Sequence, residues 1–295
     1  MPVINNQKKA RIASAAAEVS STAKSVQTTT NRNSLNWLAG IVQWFAFVNH
    51  RRNDNRFSVF PAPLAIVEAL AILASAVLFL LFFVDPLILE RMQGASTESM
   101  PFFRLVTRLG ESAWLLYPTG IVLIGATVLS ANRFRGKGRF LWHRLVLNAY
   151  YLFTAVAFSG LLANLFKNLI GRARPRFTEV GHVWQSMPFH DSYRFASFPS
   201  GHATTAGAMA VALALLFPRA RVFFLLAGLW IAVSRPALGV HFPSDVLAGF
   251  TFGAAFAWFY ARAFARKRLL FEYTETGGLK LRGAPGFSHL WKRRA

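Results

Sequence analysis

Two histidines, one aspartate and three cations stand at spacings that suit phosphoryl transfer. His241 and Asp245 are four residues apart and flank Pro243, a residue suited to the first turn of a helix. There the carboxylate can accept from one imidazole nitrogen, fix the tautomer and leave the other nitrogen free to attack phosphorus. His202 is a second imidazole, and in protonated form it can donate to a leaving oxygen. Lys167, Arg174 and Arg235 add three positive charges. Arginine offers a planar fork to phosphate oxygens and lysine a point charge. Both stabilise charge on a phosphoryl group in transfer.

Ser200 is a good helix N-cap, and the free N–H groups of Gly201 and His202 then point into the preceding loop. A helix start of this kind binds anions, and glycine permits close backbone approach. Each residue alone has an ordinary explanation. An arginine at a span end snorkels, Pro-Ser-Gly makes turns, and Asp245 could simply cap a helix. Eight positions in three clusters on one face favour the functional reading.

The elements that position these residues are written in the hydropathy. Of the 295 residues, 54% are hydrophobic, and they gather in runs of about 18–22, the length a helix needs to cross hydrocarbon. Six spans are expected near Pro63–Val84, Trp114–Ala131, Leu145–Phe166, Ser200–Phe217, Val222–Val240 and Val246–Phe264. The fourth is rich in Ala and Gly, so its neighbours can approach closely and it belongs at the bundle centre. The fold class is therefore all-α, a polytopic membrane helix bundle of six helices over residues 61–265. Residues 1–34 are polar and read as a disordered extension. Residues 35–60 read as an interfacial helix (Trp37–Val48, with Trp37 and Trp44 at headgroup level) followed by a basic linker. Residues 266–295 read as a flexible basic cytoplasmic tail.

With the N-terminus cytoplasmic, 24 of the 33 Lys and Arg fall on the cytoplasmic side and nine face outward. That asymmetry supports both termini inside. It also places all three clusters on the outer face. The net charge of +21 lies mainly in tails and short connectors, so it argues for membrane topology and against a nucleic-acid partner. The absence of cysteine excludes disulfides, thiolate nucleophiles and Cys-ligated zinc.

The three clusters together resemble the type 2 phosphatidic acid phosphatase (PAP2) superfamily. Its pattern reads here as Lys167 with Arg174-Pro175, Pro199-Ser200-Gly201-His202, and Ser234-Arg235 with His241 and Asp245, with no departure. The resemblance covers about Trp114 to Phe264. It implies His241 as nucleophile through a phosphohistidine, Asp245 as its orienting group and His202 as the acid for the leaving group. Lys167, Arg174, Ser200, Gly201 and Arg235 would bind the phosphoryl oxygens. It implies no cofactor and no metal; His182, His190 and Asp191 lie in a loop without helical metal spacing. Paired histidines predict a bell-shaped pH profile.

The architecture resembles bacterial inner-membrane members, for which an outward site is periplasmic. Their substrates are phosphatidic acid, phosphatidylglycerophosphate, undecaprenyl pyrophosphate or lipid A, and the partner is thus a phosphorylated lipid in the bilayer; oligomeric state leaves no mark in the sequence. The outward loop 174–199 carries Trp184, Phe189, Tyr193, Phe195 and Phe198, which could guide a lipid headgroup; Arg176 and Arg194 within it, and Arg172 just before it, could read further phosphates. That arginine content leans toward lipid A. The loop Asp85–Ser112 is placed to cover the site from the other side. A lipid phosphotransferase, or a non-catalytic transporter or scaffold, are the alternatives.

Overall fold

The structure, a computed structural model, describes residues 53–93, 100–129, 135–179, 181–190 and 192–282. The expected extension 1–34, the interfacial helix at Trp37–Val48 and Asp191 lie outside the described residues.

Among the described residues are seven longer helices, three single 3-10 turns and one small hairpin. Helix α1 (Pro63–Gln93) is continuous but changes pitch, with a π-helical turn at Leu80–Val84 between α-helical Pro63–Phe79 and Asp85–Gln93. The short amphipathic α2 (Pro101–Arg108) leads into α3 (Ala113–Val128). Then come α4 (Lys137–Ile170), α5 (Gly201–Leu216), α6 (Arg221–Ala237) and α7 (Pro243–Arg266). Five stretches are long and apolar enough to cross a membrane, and α5 is a shorter apolar helix of 16 residues. The chain is a multi-pass membrane protein. Four of the six spans sit where hydropathy puts them to within a few residues. The exceptions are α1, which continues past Val84 to Gln93, and α4, which begins at Lys137 rather than Leu145; the added turns are polar or basic and carry little hydropathy signal.

The centre of the bundle is α5, as its small residues require. Every residue from Ala203 to Ala210 is buried, so α5 is walled by protein and escapes the length that a lipid-facing helix must meet. Helix α7 crosses it at backbone contact. A Cβ at Gly253 would fall on the Thr204 carbonyl, and one at Gly207 on the Phe250 carbonyl. Overpacking a core by one methyl costs about 1–3 kcal/mol. Gly253→Ala is therefore expected to lower the melting temperature in detergent, and an unchanged melting point would contradict this packing.

By contrast α1 has no buried residue before its π turn. Most of its apolar surface is exposed, as on a lipid-facing helix, with Ile66, Leu73, Ala76 and Val77 half-buried on one side.

The reading of a flexible tail needs correction over residues 269–282; residues 283–295 lie outside the described residues. Residues Phe271–Tyr273 (β1) and Leu279–Leu281 (β2) pair antiparallel through a turn at Gly277. Leu269, Leu270, Phe271 and Tyr273 are buried in the main core. Phe271 meets the Tyr151 ring edge-on at 5.0 Å, and the Tyr151 hydroxyl donates to the Ala257 carbonyl at 2.9 Å. The incoming chain packs on the same hairpin: Phe57 lies against Tyr273, and the Asp54 N–H donates to the Arg266 carbonyl at 2.7 Å. Short alternating runs around two glycines hold too few residues for a hydropathy signal, yet they bury enough apolar area to fold onto the bundle.

Candidate active site

Four segments converge at one end of the bundle. Helix α4 ends at Gly171, whose φ of 61° lets the chain leave the helix in a left-handed turn. A Cβ there would strike the Met187 backbone. The chain then runs through Arg172 and Arg174, both buried. Ser200 caps α5, its Oγ accepting from the Ala203 N–H at 3.5 Å. The Ser200 N–H donates to the Asp245 carbonyl at 3.1 Å, which ties the start of α5 to the start of α7. Lys167 Nζ lies over Gly201, 3.3 Å from where a Cβ would stand. Arg235 closes the set from the last turn of α6.

His241 is 1% exposed, in the connector before α7. Its Nδ1 lies 3.6 Å from Asp245 Oδ2 and 3.5 Å from Ser197 Oγ. The same Oδ2 accepts from Ser197 Oγ at 2.5 Å and from the Phe242 N–H at 3.0 Å. The carboxylate is thus fixed on one edge of the imidazole. Burial pushes the His241 pKa down to about 3; the contact with Asp245 opposes this, and Arg174 adds to it. The ring is neutral at pH 7, as a nucleophile must be.

The cations are held differently. Arg174 donates from Nε to the Tyr193 carbonyl at 3.0 Å and from NH1 to the Tyr193 hydroxyl at 2.9 Å, and stacks on that ring at 3.7 Å. Burial lowers the pKa of Arg174, which stays charged at neutral pH because guanidinium begins so high. Arg235 donates from NH1 to Thr107 Oγ1 at 2.5 Å, while its Nε is buried and without a partner. A buried donor left unpaired is expensive, so its presence among converging cations points to an anion that completes it.

Residues 148–269 match the PAP2 superfamily. A lipid A 1-phosphatase of Rhizobium johnstonii is 44% identical over 194 residues, which cover 62% of this chain and 77% of that protein. A lipid A 1-phosphatase of Rhizobium etli is 43% identical, over 59% of this chain and 75% of that protein. The chain belongs to the PAP2 superfamily. Phosphatidylglycerophosphatase B of Bacillus subtilis is 31% identical, over 50% of this chain and 66% of that protein. The crystal structure of a transmembrane PAP2-type phosphatidylglycerolphosphate phosphatase from the same species aligns with a TM-score of 0.37 and 22% identity, over 77% of this chain and 94% of that one. The chain is a PAP2-type phosphatase.

All eight residues picked out by spacing lie in or beside this cluster, His202 among Lys167, Arg174 and Arg235. Arg172 is a correction. Rather than reading substrate phosphates, it is fully buried and paired with two carboxylates, Asp85 at 2.9 Å and Asp245 at 2.6 Å. Arg176 and Arg194 remain exposed, on carbonyls of Leu238 and Phe177. Trp184 and Tyr193 are exposed, but Tyr193 also serves Arg174. The expected cover from residues 85–112 takes the form of α2, whose Thr107 holds Arg235. Sequence reasoning missed Asp85, Thr107, Ser197 and Ser244. A lone acid at the end of a long apolar run was the available signal for Asp85.

Proposed function

We propose that this PAP2 phosphatase removes a phosphate from a phosphorylated membrane lipid, with lipid A as the substrate, through a phosphohistidine at His241 and without a metal. The observation that carries it is a neutral, buried His241 held from its Nδ1 edge, beside an arginine whose buried Nε has no partner. With Nδ1 committed to Asp245 and Ser197, Nε2 keeps its lone pair for phosphorus. The N–P bond forms as the bond from phosphorus to the lipid oxygen breaks, and His202 gives that oxygen its proton. Lys167, Arg174, Arg235 and the Gly201–His202 N–H groups take the charge on the equatorial oxygens. Water, losing a proton to His202, then attacks phosphorus, which restores His241 and releases inorganic phosphate.

Two relatives carry the name lipid A 1-phosphatase, which supports that substrate over glycerophospholipids. Phosphatidylglycerophosphate is the second reading, supported by the name of the third relative. The charge asymmetry supports an inner-membrane protein with cytoplasmic termini and a periplasmic site.

The test is phosphate release by purified, detergent-solubilised enzyme in EDTA, on lipid A, phosphatidylglycerophosphate, phosphatidic acid and undecaprenyl pyrophosphate. Release from lipid A is expected. Release from phosphatidylglycerophosphate alone would select the second reading. Activity that vanishes in EDTA and returns with a divalent metal would contradict the mechanism.

The pH profile is expected to lack the acid limb of an ordinary imidazole pair. Protonation silences His241, and with its pKa near about 3 that loss begins only well below pH 5. Thus kcat/KM should show no loss through protonation of His241 between pH 7 and 5. An acid limb centred near 6.5, the ordinary histidine value, would show that His241 is not buried as described.

A further inference from the structure

Asp85 lies on α1, outside the matched segment 148–269, and is 0% exposed. We propose that Asp85 is a positioning residue for the reaction, acting through Arg172 and Ser244 to fix the Asp245 carboxylate behind His241. The proposal rests on the reading of His241 as nucleophile and Asp245 as its orienting group.

The geometry has one guanidinium shared by two carboxylates. Arg172 donates from NH1 to Asp245 Oδ1 at 2.6 Å and to Ser244 Oγ at 2.7 Å, and from NH2 to Asp85 Oδ2 at 2.9 Å. Asp85 also accepts from Ser244, through Oγ at 2.5 Å and the N–H at 3.3 Å. Ser244 and Asp245 stand in the first turn of α7. Asp85 therefore grips that turn by its backbone and side chain, and grips Arg172 as well. Phe242 and Trp184 flank the guanidinium at 4.1 and 5.1 Å, so it cannot swing away. With Oδ1 of Asp245 fixed by Arg172, Oδ2 is left to His241, Ser197 and the Phe242 N–H.

A purely structural ion pair does not account for the second carboxylate. Asp245 already neutralises Arg172, and the Val183 carbonyl already accepts from its Nε and NH2 at 3.3 and 3.0 Å. Burying a further carboxylate is costly unless it does something else. Every partner of the Asp85 oxygens is a donor, which fits the ionised, acceptor-only form. Two carboxylates and one guanidinium leave a net negative charge on the Nδ1 side of His241. Positive charge develops there when Nε2 bonds phosphorus. Irregular helix turns favour functional positions, and the π turn Leu80–Val84 directly precedes Asp85.

Asp85→Asn keeps the shape and removes the charge. Displacing a reacting group's support costs about 10- to 100-fold, so kcat should fall by about that factor, with KM within about twofold of wild type. Phosphoenzyme formation in a single turnover should slow equally. A fall in KM affinity with kcat unchanged, or wild-type kinetics, would overturn the proposal. Asp245→Asn is measured beside it. If that variant keeps full activity, the underlying reading fails; if it is inactive while Asp85→Asn is normal, only this proposal fails. Should Asp85→Asn not fold, Ser244→Ala loosens the same grip without leaving a charge unpaired, and its kcat should fall with KM retained. Wild-type kcat in Ser244→Ala, or loss of fold in both variants, would mark the cluster as structural and overturn the proposal.

Discussion

His241→Ala is expected to lower kcat by about 10⁴-fold or more while the helix bundle stays folded. Removing a nucleophile of a coupled catalytic unit typically leaves only the rate that binding and charge stabilisation supply. Here the phosphate-binding cations would remain, because Arg174 and Arg235 are held by other partners. Substrate affinity should therefore persist and the loss should fall on kcat. Folding should survive because His241 is a poor contributor to stability: it is buried neutral, at a pKa of about 3, with contacts of 3.5 and 3.6 Å. Phosphate release and the melting temperature, measured on one preparation, check both halves. Residual activity within tenfold of wild type would mean that another group attacks phosphorus.

Arg172→Ala is expected to be the most damaging change to stability at the site. It would strand Asp85 and Asp245, each fully buried, without their shared cation. Breaking a buried pair by deleting one partner costs about 3–5 kcal/mol, and two carboxylates lose theirs here. The rings of Phe242 and Trp184 would also lose the guanidinium between them. The folded yield in detergent should collapse, and Arg172→Lys should restore little, since a point charge cannot span both carboxylates. Normal yield with either variant would show that the carboxylates find protons or other donors.

The site was legible where residue type and spacing carry chemistry. Lys167, Arg174, Ser200, His202, Arg235, His241 and Asp245 are polar groups at the ends of apolar runs, with Gly201 between two of them, which is conspicuous in sequence. The supports were not. Thr107 and Ser197 are ordinary residues whose roles come from tertiary proximity alone; Thr107 meets Arg235 across 128 positions. Arg172 was legible as an unusual outward charge but not in its partners, because Asp85 and Asp245 reach its guanidinium only through the tertiary fold. In the fold, the spans followed from hydropathy. The hairpin Phe271–Leu281 did not, because its burial depends on a cleft made by Tyr151, Phe264 and Phe57.

The account stands on a covalent bond between His241 and the phosphoryl group. Rapid quenching of the enzyme during turnover of a lipid labelled in the scissile phosphate tests this most directly. The expected result is protein-bound label that is stable to alkali and lost in acid, as an N–P bond is, located on the peptide containing His241. No bound label during steady turnover, or label that is acid-stable and lost in alkali as on a carboxylate, would contradict it.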